Sequence, residues 1–281
     1  MDIALNVDKL ISIATTFNQL KVVGALHNGE LKADVDFTTQ TGGRSASKVV
    51  FKTSGGQGEL QARLNARDLR LKIMSAGPEN TKDIPVTDLT IDMKSTGNSP
   101  HALAANSNGK VLITMGPGLM DNNLLKNISG DILSQLLTAL NPFVKQKRQS
   151  RFDCGVVALN VEGGKSTIDT LLIQDENVMI VAGGNIDLNT EKLNIEFNTK
   201  PRTGVGLSAD MFVTPFVALR GTLASPSVGL NKSGTLLTLG AAVATGGLSM
   251  ALQGGMDRVT GATDQCSVIL PKYPHPPLAD N

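Results

Sequence analysis

RFDCGVVALNVEGGKSTIDTLLIQDENVMIVAGGNIDLNTEKLNIEFNT, residues Arg151 to Thr199, decides how the whole 281-residue chain is read. Short apolar runs alternate with Gly, Asn and Asp, and no helix-period pattern interrupts them. Val157, Leu159 and Val161 sit two apart, as do Ile186 and Leu188, and Leu193, Ile195 and Phe197. A period of two gives each strand one face for an apolar interior and one for water. Gly163-Gly164, Gly183-Gly184-Asn185 and Asn189-Thr190 supply the reversals. The stretch therefore predicts a β-meander in which each strand pairs with the next.

Outward from this stretch the same grammar recurs. Asn28-Gly29 is a hairpin signal, and Leu31, Ala33, Val35 and Phe37 then alternate with Lys32, Asp34 and Asp36. Leu60, Ala62, Leu64 and Ala66 follow the Gly55-Gly56 turn. Leu69, Leu71 and Ile73 continue them after an expected bulge at Arg67-Asp68, and Leu89, Ile91 and Met93 form a further strand. Four helical segments are expected. Val7 to Leu20 carries Leu10, Ile11, Ala14 and Phe17 near helical spacing, Ser99-Pro100 starts a short turn, and Asn123 to Leu140 has a wide leucine stripe that must cover something. Ser233 to Met256 is long and uncharged, but its glycines fit a small-residue helix packed on the sheet better than a membrane span. The Pro-rich end, 271–281, is expected to be loose.

Composition bounds the function. Apolar residues make up 41% of the chain, but aromatics only 3%, so the interior is aliphatic. A net charge of +1 gives no case for nucleic acid. The one dense basic run, Lys145 to Arg151, reads as a solvated loop, or as a contact for anionic lipid headgroups. His27, His101 and His275 have no Cys, Asp or Glu at metal-ligand spacing, and no G-x-S-x-G, H-E-x-x-H or P-loop motif occurs. No enzyme, cofactor or metal is expected. Cys154 and Cys266 fit no metal motif either. In an oxidising compartment they can pair, closing a loop worth about 4–5 kcal/mol in the chain-entropy model; in the cytosol both stay free.

The order of motifs resembles a known family. Phe152-Asp153-Cys154 opens a strand, and a strand pair leads to Gly184-Asn185-Ile186-Asp187-Leu188. A charged turn then enters Leu193-Asn194-Ile195-Glu196-Phe197. Upstream stand Asn108-Gly109-Lys110-Val111, Gly116 to Met120 and the leucine-rich helix; downstream stands Gly221-Thr222-Leu223-Ala224-Ser225-Pro226. From Gly29 to Ile269 this series is similar to the carboxy-terminal region of the AsmA-like proteins of the Gram-negative envelope, related to TamB-like bridge-type lipid-transfer proteins. The resemblance implies a mainly β, long curled antiparallel sheet, a taco-like β-groove with a few covering helices, forming one elongated domain over 1–281. It also implies a carboxy-terminal fragment of a periplasmic protein, anchored in the inner membrane by a missing amino-terminal part.

About thirteen strands at a spacing of ~4.8 Å would make a sheet ~60 Å long. The expected function is non-enzymatic binding and transfer of phospholipid or another acyl lipid in support of outer-membrane biogenesis. The apolar strand faces would line the groove: Leu31, Ala33, Val35, Phe37, Leu60, Leu64, Leu69, Leu71, Ile73, Leu89, Ile91, Met93, Leu193, Ile195 and Phe197. The covering helices are 121–141 and 233–256. A periplasmic location favours the Cys154–Cys266 bond, which would pin the terminal helix on the meander. Two other readings stand beside this one. The alternation also builds a β-sandwich with a filled core, and exposed strand edges would suit a scaffold that assists outer-membrane protein assembly through envelope protein partners.

Overall fold

The computed structural model describes residues 1–12, 15–71, 81–121, 149–176, 178–201, 216–231 and 264–278. The expected helices at 121–141 and 233–256, and Ile73, lie outside these, apart from Asp121, which ends a strand. The strands are β1 (Asp2–Val7), β2 (Leu10–Ile11), β3 (Thr16–His27), β4 (Glu30–Thr39), β5 (Arg44–Ser54), β6 (Gln57–Arg70), β7 (Val86–Gly97), β8 (Asn108–Met115), β9 (Gly118–Asp121), β10 (Gln149–Glu162), β11 (Lys165–Asp175), β12 (Val178–Asp187), β13 (Lys192–Pro201), β14 (Phe216–Gly221) and β15 (Pro226–Asn231).

All fifteen join one open antiparallel sheet, the expected mainly β fold. Thirteen follow one another along it in chain order, while β2 pairs only with β3 and β9 only with β10. Among the described residues two short α-helices accompany them. α1 (Pro100–Ala105) starts where Ser99 caps it, its hydroxyl accepting from the Ala102 N–H at 3.1 Å, and α2 (Gln265–Ile269) is capped by Asp264.

The hairpins form where the sequence turns. Asn28 and Gly29 have φ of 49° and 76°, and Gly163 and Gly164 have 54° and 74°, the left-handed pair that a tight hairpin with right-twisted strands requires. Gly164 is constrained further: a Cβ there would lie 2.2 Å from the Ala105 carbonyl oxygen. The bulge at Arg67-Asp68 is present. Asp68 sits at φ 58°, its N–H bonds the Asp88 carboxylate at 2.8 Å, and the register steps from Ala66↔Leu89 to Leu69↔Thr87.

Two expectations fail. Val7 to Leu20 does not form a helix: Asp2–Val7 pairs in register with Leu20 to Ala25, and Leu10 and Ile11 pair with Phe17 and Thr16. Helical spacing of four apolar residues is a weak local preference, and the ladder offers these backbone groups hydrogen bonds that an isolated turn of helix does not. The tail is not loose over 271–278. Leu270–Lys272 forms a 3-10 turn after α2, and Tyr273, His275 and Pro276 hydrogen-bond to the sheet.

The core lies on both faces. On one, Ile168, Ile180, Ala182, Ile195, Phe197 and Val217 form a buried cluster. On the other, Cys154, Val156 and Leu172 meet Cys266 and Ile269 of α2, and the Cys154–Cys266 disulfide joins them across 112 residues with Cα atoms 5.8 Å apart.

Two stability predictions follow from this packing. Cys266→Ser should lower the unfolding free energy by up to about 4–5 kcal/mol, the restriction a loop of this length places on the unfolded chain, and reduction of the wild type should reproduce the shift in urea denaturation. An unchanged midpoint in both would show that the bond adds nothing. Gly164→Ala should cost more than the ~1–2 kcal/mol of a left-handed alanine, because the methyl also meets Ala105 backbone; thermal unfolding reads it, with Gly42→Ala, where a Cβ meets nothing within 4 Å, as the control for conformational strain alone.

Candidate functional site

Antiparallel pairing places directly opposed residues on the same face, so the register of each ladder shows which side chains share a surface. One line of opposed positions runs Val7, Leu20, Phe37, Ser45, Ala66, Leu89, Ile113, Val157, Leu171, Ala182, Phe197, Val217, from β1 to β14. Every member but Ser45 is apolar. A parallel line runs Leu5, Val22, Val35, Ser47, Leu64, Ile91, Val111, Leu159, Ile168. The sheet thus carries one apolar face, broken in these lines only by Ser45 and Ser47 of β5, which the period of two in each strand required but could not align by itself.

The opposite face between β4 and β8 is charged and wet. Lys48 pairs with Asp34 at 4.0 Å and Arg63 with Asp92 at 3.2 Å, both exposed and of small energetic weight. The near strand ends are polar as well. Burial works to raise the Glu30 carboxyl, but hydrogen bonds from Lys52 and Lys32 outweigh it and hold it below the usual range. The backbone N–H of Thr190 lowers Asp187, against burial and with help from Asn189 N–H.

Exposure varies along the apolar face, and this divides the expected lining residues. Leu31, Ala33, Val35 and Phe37 on β4, Leu60 and Leu64 on β6, and Leu89, Ile91 and Met93 on β7 are half-buried and open to solvent in part. Leu193, Ile195 and Phe197 on β13 are 7%, 7% and 8% exposed and belong to a closed core. Leu69 is buried beyond the bulge, and Leu71 lies just past the end of β6, half-buried. At the other extreme, Ile3 and Leu5 of β1 are 43% and 50% exposed. The face is therefore bare at β1, half-covered across β3 to β8 and sealed by β12 to β14.

Sequence reading missed several members of the same surface: Val22, Val49, Phe51, Val111 and Ile113. The run Val49-Val50-Phe51 has no alternation to say which side faces in; pairing with Leu31, Ala33, Leu60 and Ala62 settles it for Val49 and Phe51. Phe17 and Phe37 meet edge to face at 4.9 Å.

Among the described residues no group of three or more His, Cys, Asp or Glu side chains could hold a metal ion, and no helix is long and apolar enough to cross a membrane.

No family model matches the chain, and no solved structure matches it. The chain is similar to the AsmA family protein YhjG of Escherichia coli (strain K12), 24% identical over 252 residues, which are 87% of this chain and 35% of that one. It thus spans about a third of the length of that curated relative. Likeness over nearly the whole chain, in the family whose motif order the sequence resembles, supports assigning this protein to the AsmA-like family.

Proposed function

We propose that this protein binds acyl lipid along the half-exposed apolar face between β3 and β8, as the β-groove of a periplasmic lipid-transfer protein that supports outer-membrane biogenesis. The observation that carries the reading is the combination of continuity and openness. A face that is apolar in every strand from β1 to β14 is ordinarily buried, because exposed apolar surface in water costs about 25 cal/mol per Å². Here Ile195 and Phe197 of β13 are buried, while Val35, Leu64 and Ile91 on β4, β6 and β7 stay partly open. An acyl chain would cover Leu31, Val35, Leu64 and Ile91, while a headgroup stays with water and the charged strand ends. The AsmA relationship points to the cell envelope and supports lipid transport in general terms. The reading needs no catalysis, cofactor or metal. It places the described residues in the periplasm of a protein anchored in the inner membrane by another part of the chain, with phospholipid as the first candidate cargo.

Photo-crosslinking residues at Val35, Leu64 and Ile91, at Asp34, Arg63 and Asp92 on the opposite face, and at Ile195 in the sealed part test this in cells. The first three should give lipid adducts by mass spectrometry, and the other four should give few or none. Absence of lipid at Val35, Leu64 and Ile91 would sink the proposal, and protein adducts there in place of lipid would favour a scaffold for outer-membrane protein assembly.

A further inference from the structure

The tail crosses the sheet on the face opposite the open apolar one. α2 is fixed to β10 by the Cys154–Cys266 disulfide, with both sulfurs in a buried cluster. Beyond it the Tyr273 hydroxyl bonds Thr170 of β11, and the His275 ring lies between Thr90 of β7 and Thr114 of β8, each nitrogen 2.8 Å from a hydroxyl oxygen. Arg67 of β6 then donates to the Pro276 carbonyl. Since β11, β10, β8, β7 and β6 are successive neighbours in the sheet, about ten residues tie five strands together.

The two ends of this strap are held by different chemistry. The disulfide end is covalent. The far end depends on a neutral imidazole. Arg67 donates to the Thr90 hydroxyl oxygen at 3.3 Å. The hydroxyl proton is then best placed on the unprotonated Nδ1 of His275, and Nε2–H donates to Thr114, which satisfies all three groups. A proton on Nδ1 removes that acceptor and sets a second cation beside Arg67. The charged groups acting on the ring are Arg67 at the β6 bulge and Asp88 of β7, and Asn65 of β6 lies opposite Thr90; of these only the Asp88 carboxylate offsets the added charge, and it is already engaged by the Asp68 N–H.

We propose that residues 266–278 form a strap hinged at the Cys154–Cys266 disulfide, whose far end leaves the sheet on mild acidification while the disulfide and the sheet stay intact. The titration has the matching sign. Burial first, then Arg67, holds His275 below its ordinary value, with Asp88 opposing. A lowered folded-state value means that the docked form is fully favoured above the ordinary histidine range, near pH 6.5, and loses that advantage as pH falls through the lowered value. The inference is independent of lipid binding.

The chain contains one Tyr, Tyr273, and no Trp, so its intrinsic fluorescence reports the strap alone. Acrylamide quenching of the oxidised 281-residue chain should be flat above the ordinary histidine range and rise roughly twofold as pH falls to about 5, with far-UV circular dichroism unchanged. His275→Gln, which keeps a neutral donor and acceptor, should abolish the step. Arg67→Gln, which removes the neighbouring cation, should move it to higher pH. A flat wild-type profile, an identical step in His275→Gln, an unmoved step in Arg67→Gln, or loss of the sheet signal with the step would each overturn the proposal.

Discussion

Strand register is the constraint on which the rest of this structure depends. Side chains alternate faces with a period of two, so a slip of one residue in any ladder would turn that strand's apolar set into water. The line from Val7 to Val217 stays apolar, Ser45 aside, only because each successive pairing is in phase with the last. Where the chain departs from simple alternation, a bulge restores the phase. At Arg67-Asp68 the extra residue returns Leu69 to the face carried by Ala66, and between Thr167 and Leu171 another brings Leu171 into line with Ile168.

The same alternation has two outcomes along one sheet. Around β11 to β14, Ile168, Ile180, Ile195, Phe197 and Val217 pack into a closed cluster. Between β3 and β8 equivalent positions stay half-open, and a hydrophobic surface is left facing outward next to charged strand ends. A filled β-sandwich, which the alternation equally allows, accounts for the first region and not the second. The open part is where an apolar ligand gains most by covering the surface and loses least by leaving the charged rims wet.

The tail and its disulfide act on the reverse face, where charge would ordinarily prevail. Cys154, Val156 and Leu172 interrupt the polar side of β10 and β11 and give α2 an apolar seat. The bond between Cys154 and Cys266 fits an oxidising environment, and the seat explains why these two cysteines meet although 112 residues separate them.

Local patterns determined a great deal here. Alternating residues announced the strands, Asn28-Gly29 and Gly163-Gly164 announced their turns, Ser99-Pro100 announced α1, and Arg67-Asp68 announced its bulge, because each of these features is set by backbone geometry within a few residues. The motif order between Gly29 and Ile269 pointed to the AsmA-like family for the same reason: it is a sequence of such local features. Apart from the pairing of the two cysteines, the sequence did not reveal properties fixed by distant partners. Leu10 and Ile11 became a strand because Phe17 and Thr16 of β3 offered them a ladder, against their helical spacing. The tail became ordered because Thr90, Thr114 and Thr170 on three other strands receive it. The division of one apolar face into a sealed part at Phe197 and an open part at Val35 was also decided only in three dimensions, since both residues sit in the same alternating pattern and differ only in what the folded chain brings against them.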